Sequence, residues 1–493
     1  MSTCTDPADT NIVVGYTAES ETIPTTVGVT VEKGKSLTYK IAILNAKGKE
    51  IKIGSSMGLI NNSLSLPEST KEIVKTEDSY CKDNGFTTLS DCMLVMNNHE
   101  ATTDAAKTAI KAKGTPDFSQ VATTDEGLYM AEDDEGESYY YRGAVKNNYV
   151  SFAGFIWRII RRNGDGSVRM IYSGKSTADT GDAVTIGNSQ FNRKYWDPTY
   201  VGYKYNEDFS LHESNGTTGY DWFTNTTKYN FGTGYTFDQS TRKFTLTGDI
   251  KQLTWNDNHE EIVNNQLYSC LNTSCNVIYK IVGYNSATEM KVQPISYSSN
   301  SLLTAQTNTT DSPIKTKLDS WYKTNLTSYT SKLADETFCN DRSITSGSGY
   351  LTTPTTLYGA YTRLQDGKKP SLKCSQNNDK FKMSNESAKL NYPVALITAD
   401  EVALAGGRGY YNGGYSPNSN YYLYNGNYFW TLSPSHFNSY LSYARVWFVL
   451  PSGSLIPWYD VTNSFGVRPV INLRANTLIT KGDGSSLNPF VIQ

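Results

Sequence analysis

A chain of 493 residues has room for two or three domains, and a formal charge of −3 with pI near 5.9 offers no basic footprint for nucleic acid or anionic lipid. No run approaches the ~18 apolar residues of a membrane helix, and Met1-Ser-Thr-Cys-Thr-Asp-Pro7 lacks the charged and apolar regions of a signal peptide. With 36 Tyr, 38 Gly and 19% charged residues, the composition argues for a β-rich surface protein expected outside or on a cell, with any export or anchor segment expected outside this sequence; a plain polar β protein that stays where it is made is the alternative.

Residues 1–75 read as short alternating strands, Asn11–Val14, Val27–Val31, Leu37–Leu44 and Glu50–Ile53, separated by Lys-Gly or Gly-Lys turns. A small β-sandwich spacer is expected there. A helical connector follows over 76–125, with Met93, Leu94, Met96, Ala105, Ala106 and Ile110 at helical spacing between Leu89 and Lys113. From 126 onward strands return at Tyr139–Tyr141, Tyr149–Phe152, Phe155–Ile160 and Val168–Tyr172. The last two are joined through Arg162-Asn-Gly-Asp-Gly166, a hairpin signal. Asn163, Asp165 and Ser167 suggest calcium, but the loop lacks the spacing and terminal Glu of an EF-hand, so a turn is expected.

A polar, Tyr-rich segment at about 217–297 carries strands at Lys243–Thr247 and Asn276–Val282 and is read as an insertion in the same sheet system. The best long helix starts at Ser312-Pro313 and runs toward Leu333, with Ile314, Leu318, Trp321, Tyr322 and Leu326 on one core-facing stripe. Residues 476–493 are left as a C-terminal tail.

Six of the seven cysteines fall into local pairs, Cys81 with Cys92, Cys270 with Cys275 and Cys339 with Cys374. Their spacing does not match zinc sites, so disulfides are expected, with unpaired structural thiols the alternative. The four histidines form no cluster; Trp255-Asn-Asp-Asn-His259-Glu-Glu261 lacks the second His of a zinc-protease helix. No nucleophile elbow or phosphate-binding loop is present, and Gly406-Gly-Arg-Gly409 lacks the strand–turn–helix context of a dinucleotide fingerprint. The chain is therefore expected to be no enzyme, without cofactor or metal.

The organising stretch is Thr398–Leu473. Thr398 and Glu401 form a capping-box pattern before Val402-Ala-Leu-Ala405, and Gly406-Gly407 stops the helix. Strands follow around a turn at Pro451-Ser-Gly-Ser454, and the stretch closes with Gly466-Val-Arg-Pro-Val-Ile-Asn-Leu473. Between these fixed points lie Tyr, Asn, Trp and His in no regular pattern. Tyr410, Tyr411, Asn412, Tyr415, Asn420, Tyr422, Tyr424, Asn427, His436, Asn438, Tyr440, Tyr443, Arg445, Trp447, Trp458 and Tyr459 are the candidate ligand-binding residues. In Ala444–Val449, Arg445 and Trp447 share one strand face and Val446 and Phe448 the other. If Val446 and Phe448 are core, Arg445 and Trp447 project outward. About a third of the rings in this stretch are expected to close the core instead.

Several motifs, Ala153-Gly-Phe-Ile-Trp157 through Gly166, Phe338-Cys-Asn-Asp-Arg342, Pro370-Ser-Leu-Lys-Cys374, Tyr392–Glu401 and Gly466–Leu473, resemble a family of surface-exposed proteins of gut Firmicutes. The C-terminal region of that family is similar to the C-type-lectin-like fold of formylglycine-generating enzymes and of the variable proteins of diversity-generating retroelements. The resemblance covers roughly 125–493 and implies a β-rich α+β chain with a C-type-lectin-like domain over 126–475. It further implies an adhesin or receptor-binding protein that takes a protein or glycan ligand on a cell surface. Self-association as a subunit of a pilus or other appendage is the alternative. The enzymes of this fold use late cysteines, whereas none follows Cys374 here.

Overall fold

A computed structural model describes residues 80–97, 99–193, 195, 198–206, 306–347, 355–409, 414–438 and 443–492, together with the backbone of short strands within 3–51 and 235–295. The chain is β-rich α+β and divides into two compact units, one formed by 1–107, 147–150 and 478–493, the other by 108–146 and 151–477.

In the first unit, short antiparallel pairs join Ile12–Gly15 to Thr26–Val29, Thr3–Cys4 to Leu37–Thr38 and Ile43–Leu44 to Glu50–Ile51. The assembly of these pairs into the expected sandwich lies outside the described residues. α1 (Tyr80–Asp83) and α2 (Leu89–Met96) are tied by the Cys81–Cys92 disulfide, and Thr88 caps α2 by accepting from Asp91 N. The helical stretch expected up to Lys113 is two helices. His99 adopts a left-handed φ of 52°, and α3 (Thr103–Ala112) starts afresh with Thr102 Oγ1 accepting from Ala105 N. Residues 478–492 pair as two antiparallel strands, Ile479–Lys481 and Phe490–Ile492, and Ile479 N donates to Thr87 O at 2.9 Å.

The second unit holds strands β1 (Asp125–Asp133), β2 (Gly136–Gly143), β3 (Phe155–Arg162), β4 (Val168–Tyr172), β5 (Asn188–Gln190) and β6 (Ile344–Ser346). They continue with β7 (Thr356–Tyr358), β8 (Phe429–Asn438), β9 (Tyr443–Val449), β10 (Leu455–Ile456), β11 (Ser464–Gly466) and β12 (Val470–Leu473). One sheet runs β12-β4-β3-β2-β1, antiparallel throughout. The other runs β5-β11-β8-β7-β6, with β9 paired to β8 and β10 to β9. β3 and β4 are buried along nearly their whole length, so their sequences do not alternate apolar with polar, and the arginines they carry, Arg158, Arg161 and Arg169, are buried as well. Their connection is the expected hairpin: Asn163 N donates to Ser167 O, and Asn163 Nδ2 donates to Ser167 Oγ at 2.7 Å.

α4 (Pro313–Asn325) is capped by Ser312 and followed by a 3₁₀ turn over Thr327–Lys332; of the expected stripe Ile314, Leu318, Tyr322 and Leu326 are fully buried, while Trp321 is half-buried. The Cys339–Cys374 disulfide is present; Cys270–Cys275 lies outside the described residues.

Thr398–Leu473 does position both sheets. α6 (Ala399–Leu404) carries the complete capping box, with Glu401 N donating to Thr398 Oγ1 and Thr398 N donating to Glu401 Oε2. At its other end Gly407 N reaches Val402 O and Gly406 N reaches Ala403 O, a Schellman motif that needs the φ of +113° at Gly406. Just before the helix, Ala395 bridges to Val470 of β12, while Ile397 O accepts from Leu432 N of β8. The helix therefore sits where the two sheets meet. The Gly466-Val-Arg-Pro segment crosses back between the same sheets, and the buried Arg468 latches the crossing by donating to Tyr172 O (3.2 Å) and Leu423 O (2.7 Å).

The turn between β9 and β10 is closed by Leu450 N to Ser454 O and Gly453 N to Leu450 O. At Gly453, φ is +81° and an added Cβ would lie 1.9 Å from Asn418 O. Gly453→Ala is expected to cost more than ~1 kcal/mol, read as a drop in the denaturant midpoint. An unchanged midpoint would refute the close approach.

Candidate ligand-binding face

The pairing of β8 with β9 sets His436 opposite Arg445, Phe437 opposite Ala444 and Trp430 opposite Phe448. The period-two reading of β9 is therefore correct about which residues share a face. It is wrong about exposure. Trp447 is 0% exposed, Arg445 8%, His436 3% and, before the strand, Tyr422 6%, so none of the four projects outward. The reason is that the sheet is covered on both sides. Phe448 packs among Trp430, Phe465 and Tyr459, while the opposite face is closed by Tyr361 of α5 (Gly359–Thr362), 5.2 Å from the His436 ring and 6.1 Å from Trp447.

What remains outside is a smaller set. Tyr415 (62%), Tyr459 (45%) and Tyr424 (37%) are among the most exposed large apolar side chains of the described residues, Asn420 is exposed, and Tyr443, Trp458 and Asn427 are half-buried. Tyr410, Tyr411, Asn412, Tyr440 and the side chain of Asn438 lie outside the described residues. The exposed rings are not loose. Tyr459 stacks on Phe448 (5.2 Å, 15°), and the half-buried Tyr428 stacks on Phe465 (4.8 Å, 13°). Two outer rings thus lie nearly parallel to two buried ones. Tyr361 and Tyr195, which packs on Tyr443 at 5.0 Å, were missing from the candidates. Tyr361 and Tyr195 reach the face only through the sheet's long-range pairing, which leaves no local signal.

The Tyr/Asn loop before β8 has an internal division of labour. Asn418 Nδ2 donates to Ala122 O and Gly406 O, while its Oδ1 accepts from Asn420 N. Asn425 Oδ1 accepts from Asn427 N, and Tyr421 OH donates to Gly453 O. Asn418, Tyr421, Tyr422, Leu423 and Asn425 are buried, with the exposed positions interleaved.

His436 links the face into a chain of donors. Arg445 Nη1 donates to Nε2 at 3.1 Å, so the ring proton sits on Nδ1 and points to Ser435 Oγ (2.9 Å), whose own proton goes to Pro457 O (3.1 Å). Burial, reinforced by the Arg445 charge, lowers the His436 pKa to about 3. The histidine is neutral in the folded chain and protonates near pH 6.5 when unfolded, so it costs nothing above pH 6.5 and erodes stability progressively from there down to about pH 3. Glu336 acts in the opposite sense, since burial and then Asp165 raise it to about 7. Comparing wild type with His436→Gln cancels that second contribution. The stability of wild type relative to the variant is expected to fall by up to ~1.4 kcal/mol per pH unit below pH 6.5, and a pH-independent difference would refute the neutral histidine.

A second concentration of chemistry lies beside α6. Arg161 pairs with Asp133 (2.7 Å) and Glu401 (3.0 Å), Arg169 with Glu401 (2.7 Å), and Arg363 with Asp341 (2.7 Å) and Asp400 (2.9 Å). Glu336 and Lys373 also line this cleft. A carboxyl titrating near neutrality is a functional-site signal, yet the cavity measures only about 30 Å³, room for a water or two. Its carboxylates are largely spent on arginines and backbone N–H groups that fix β1, β3 and α6 together. We read it as a hub of the fold.

No family model, curated protein or solved structure matches the chain. Among the described residues no group of three His, Cys, Asp or Glu side chains is placed to hold a metal ion, and no helix is long and apolar enough to cross a membrane.

Proposed function

We propose that the chain is a surface-displayed ligand-binding protein, an adhesin or receptor-binding protein, whose binding face is the exposed part of the Tyr/Asn loop together with the outer rings beside β9. The observation that carries this reading is the seating of Tyr459 and Tyr428 on buried phenylalanines. Rings fixed in place before a ligand arrives lose little further freedom on binding, and tyrosine offers large contact area with few rotatable bonds. Two disulfides fit an oxidising, extracellular setting. The sequence motifs support a C-type-lectin-like arrangement of the second unit and a kinship with variable proteins of diversity-generating retroelements.

Burial narrows the positions open to diversification to Tyr415, Asn420, Tyr424, Asn427, Tyr443, Trp458 and Tyr459 among those described, since Tyr422, His436, Arg445 and Trp447 are too enclosed to vary freely. The test is binding of the purified chain to glycan and cell-surface protein arrays, with Tyr415→Ala, Tyr424→Ala and Tyr459→Ala beside wild type. At least one variant is expected to lose ~10-fold or more in affinity while each keeps its unfolding midpoint. Undiminished binding by all three would remove this face from consideration. Concentration-dependent self-association abolished by the same variants would instead favour an appendage subunit.

A further inference from the structure

Arg445 differs from the other buried arginines of the described residues. Arg142, Arg161, Arg169 and Arg342 face carboxylates, and Arg158 and Arg468 donate to backbone carbonyls. Arg445 has one hydrogen-bond partner among the described residues, the neutral ring of His436 through Nη1. Among the described residues its buried Nε has no hydrogen-bond partner, and no carboxylate oxygen comes within ion-pair distance. Asp460 is the acid whose field bears most on it, but Asp460 Oδ1 is occupied by Thr462 N and Thr462 Oγ1. The remaining nitrogen, Nη2, has no hydrogen-bond partner among the described residues and, unlike Nε, is not fully enclosed. The rings beside the guanidinium are aromatic and half-exposed: Tyr443 at 5.6 Å and Trp458 at 5.7 Å.

An unpaired guanidinium at this depth is costly, and an apolar residue of similar volume would be tolerated better. The His436–Ser435–Pro457 chain nevertheless holds it in one orientation. We infer that Arg445 anchors a carboxylate-binding subsite, taking an acidic pyranose with its carboxylate on the Nη2 edge and its flat C–H face against Trp458 and Tyr443. This rests on the ligand-binding reading above and names the ligand class for part of the same face. Arg445 is the binding residue, whereas His436 and Ser435 are positioning residues.

The probe is D-glucuronic acid, titrated by NMR into the full chain at low salt, with D-glucose and acetate as controls that carry only the ring or only the charge. Glucuronate is expected to bind ~10-fold or more tightly than either control and to weaken at high ionic strength. Arg445→Met is expected to abolish the preference while leaving Tm equal or higher, a result that a structural arginine would not give. Arg445→Lys keeps the charge without the planar fork and is expected to bind with reduced affinity. Equal binding of glucose and glucuronate, retained preference in Arg445→Met, or a marked fall of Tm in that variant would each overturn the subsite. Array binding that depends on Tyr459 but is indifferent to Arg445 would remove the subsite and leave the binding protein. Array binding indifferent to Tyr415, Tyr424 and Tyr459 would remove the wider reading.

Discussion

Glu401→Gln is expected to destabilise the chain by ~3–5 kcal/mol, a large share of the ~5–15 kcal/mol of a typical domain. Glutamine can still reach back to the cap of α6, so this substitution spares the capping box and isolates the charge. What it removes is the shared anion of Arg161 and Arg169. Glu401 is 1% exposed and Arg169 equally buried, and among the described residues the direct contacts left to Arg169 when the carboxylate is gone are the Thr337 carbonyl at 3.1 Å and the Phe338 ring, with Glu336 and Asp133 acting on it through their fields. Arg161 retains Asp133 and should tolerate the change better. Burial alone would raise the Glu401 pKa, but Arg169 and Arg161 outweigh it and hold the carboxyl below its ordinary value. Its contribution is therefore present above the unfolded-state pKa near 4.5 and is lost as pH falls below it. Urea unfolding of both proteins at pH 7 checks the size; a loss under ~1 kcal/mol would show that the ion pairs are not what holds the sheets to the helix.

Trp447→Ala is expected to cost ~3–5 kcal/mol, the scale for emptying a large buried ring. Trp447→Phe should cost less than its lost area implies, because it also deletes an indole N–H that has no partner among the described residues. Tyr459→Ala, at 45% exposed, should stay within ~1 kcal/mol of wild type. Thermal unfolding of the three variants separates the enclosed face from the outer one. A mild Trp447→Ala would return that ring to the surface.

The contrast shows where sequence reading succeeds. The cap, stop and span of α6, the first turn of α4, the hairpin at Asn163–Gly166 and the turn at Gly453 are dictated by residues within a few positions of each other, and all were legible. Which residues of β9 share a face was legible too, because side chains alternate along any strand. Whether a face meets water was not. That depends on what the chain lays over it, and the covering Tyr361 lies more than 70 positions upstream of His436 and Trp447. The same limit hid the second role of Glu401. Its capping partner is three residues away, whereas Arg161 and Arg169 arrive from β3 and β4, far upstream in the chain. An arginine in a β-strand reads as surface until its carboxylate is found.

In the loop ahead of β8 the amides have separate duties. Asn418 and Asn425 brace the backbone from within, while Asn420 and Tyr424 between them face out. Bracing and display are thus assigned to different positions written in the same small alphabet, and the chain can be edited accordingly. A combinatorial library randomising Tyr415, Asn420, Tyr424 and Tyr459, with Asn418, Tyr421, Leu423 and Asn425 held constant, would change what the loop presents while its course stays the same. Such a scaffold could be retargeted like an antibody, with the variable letters written between fixed ones.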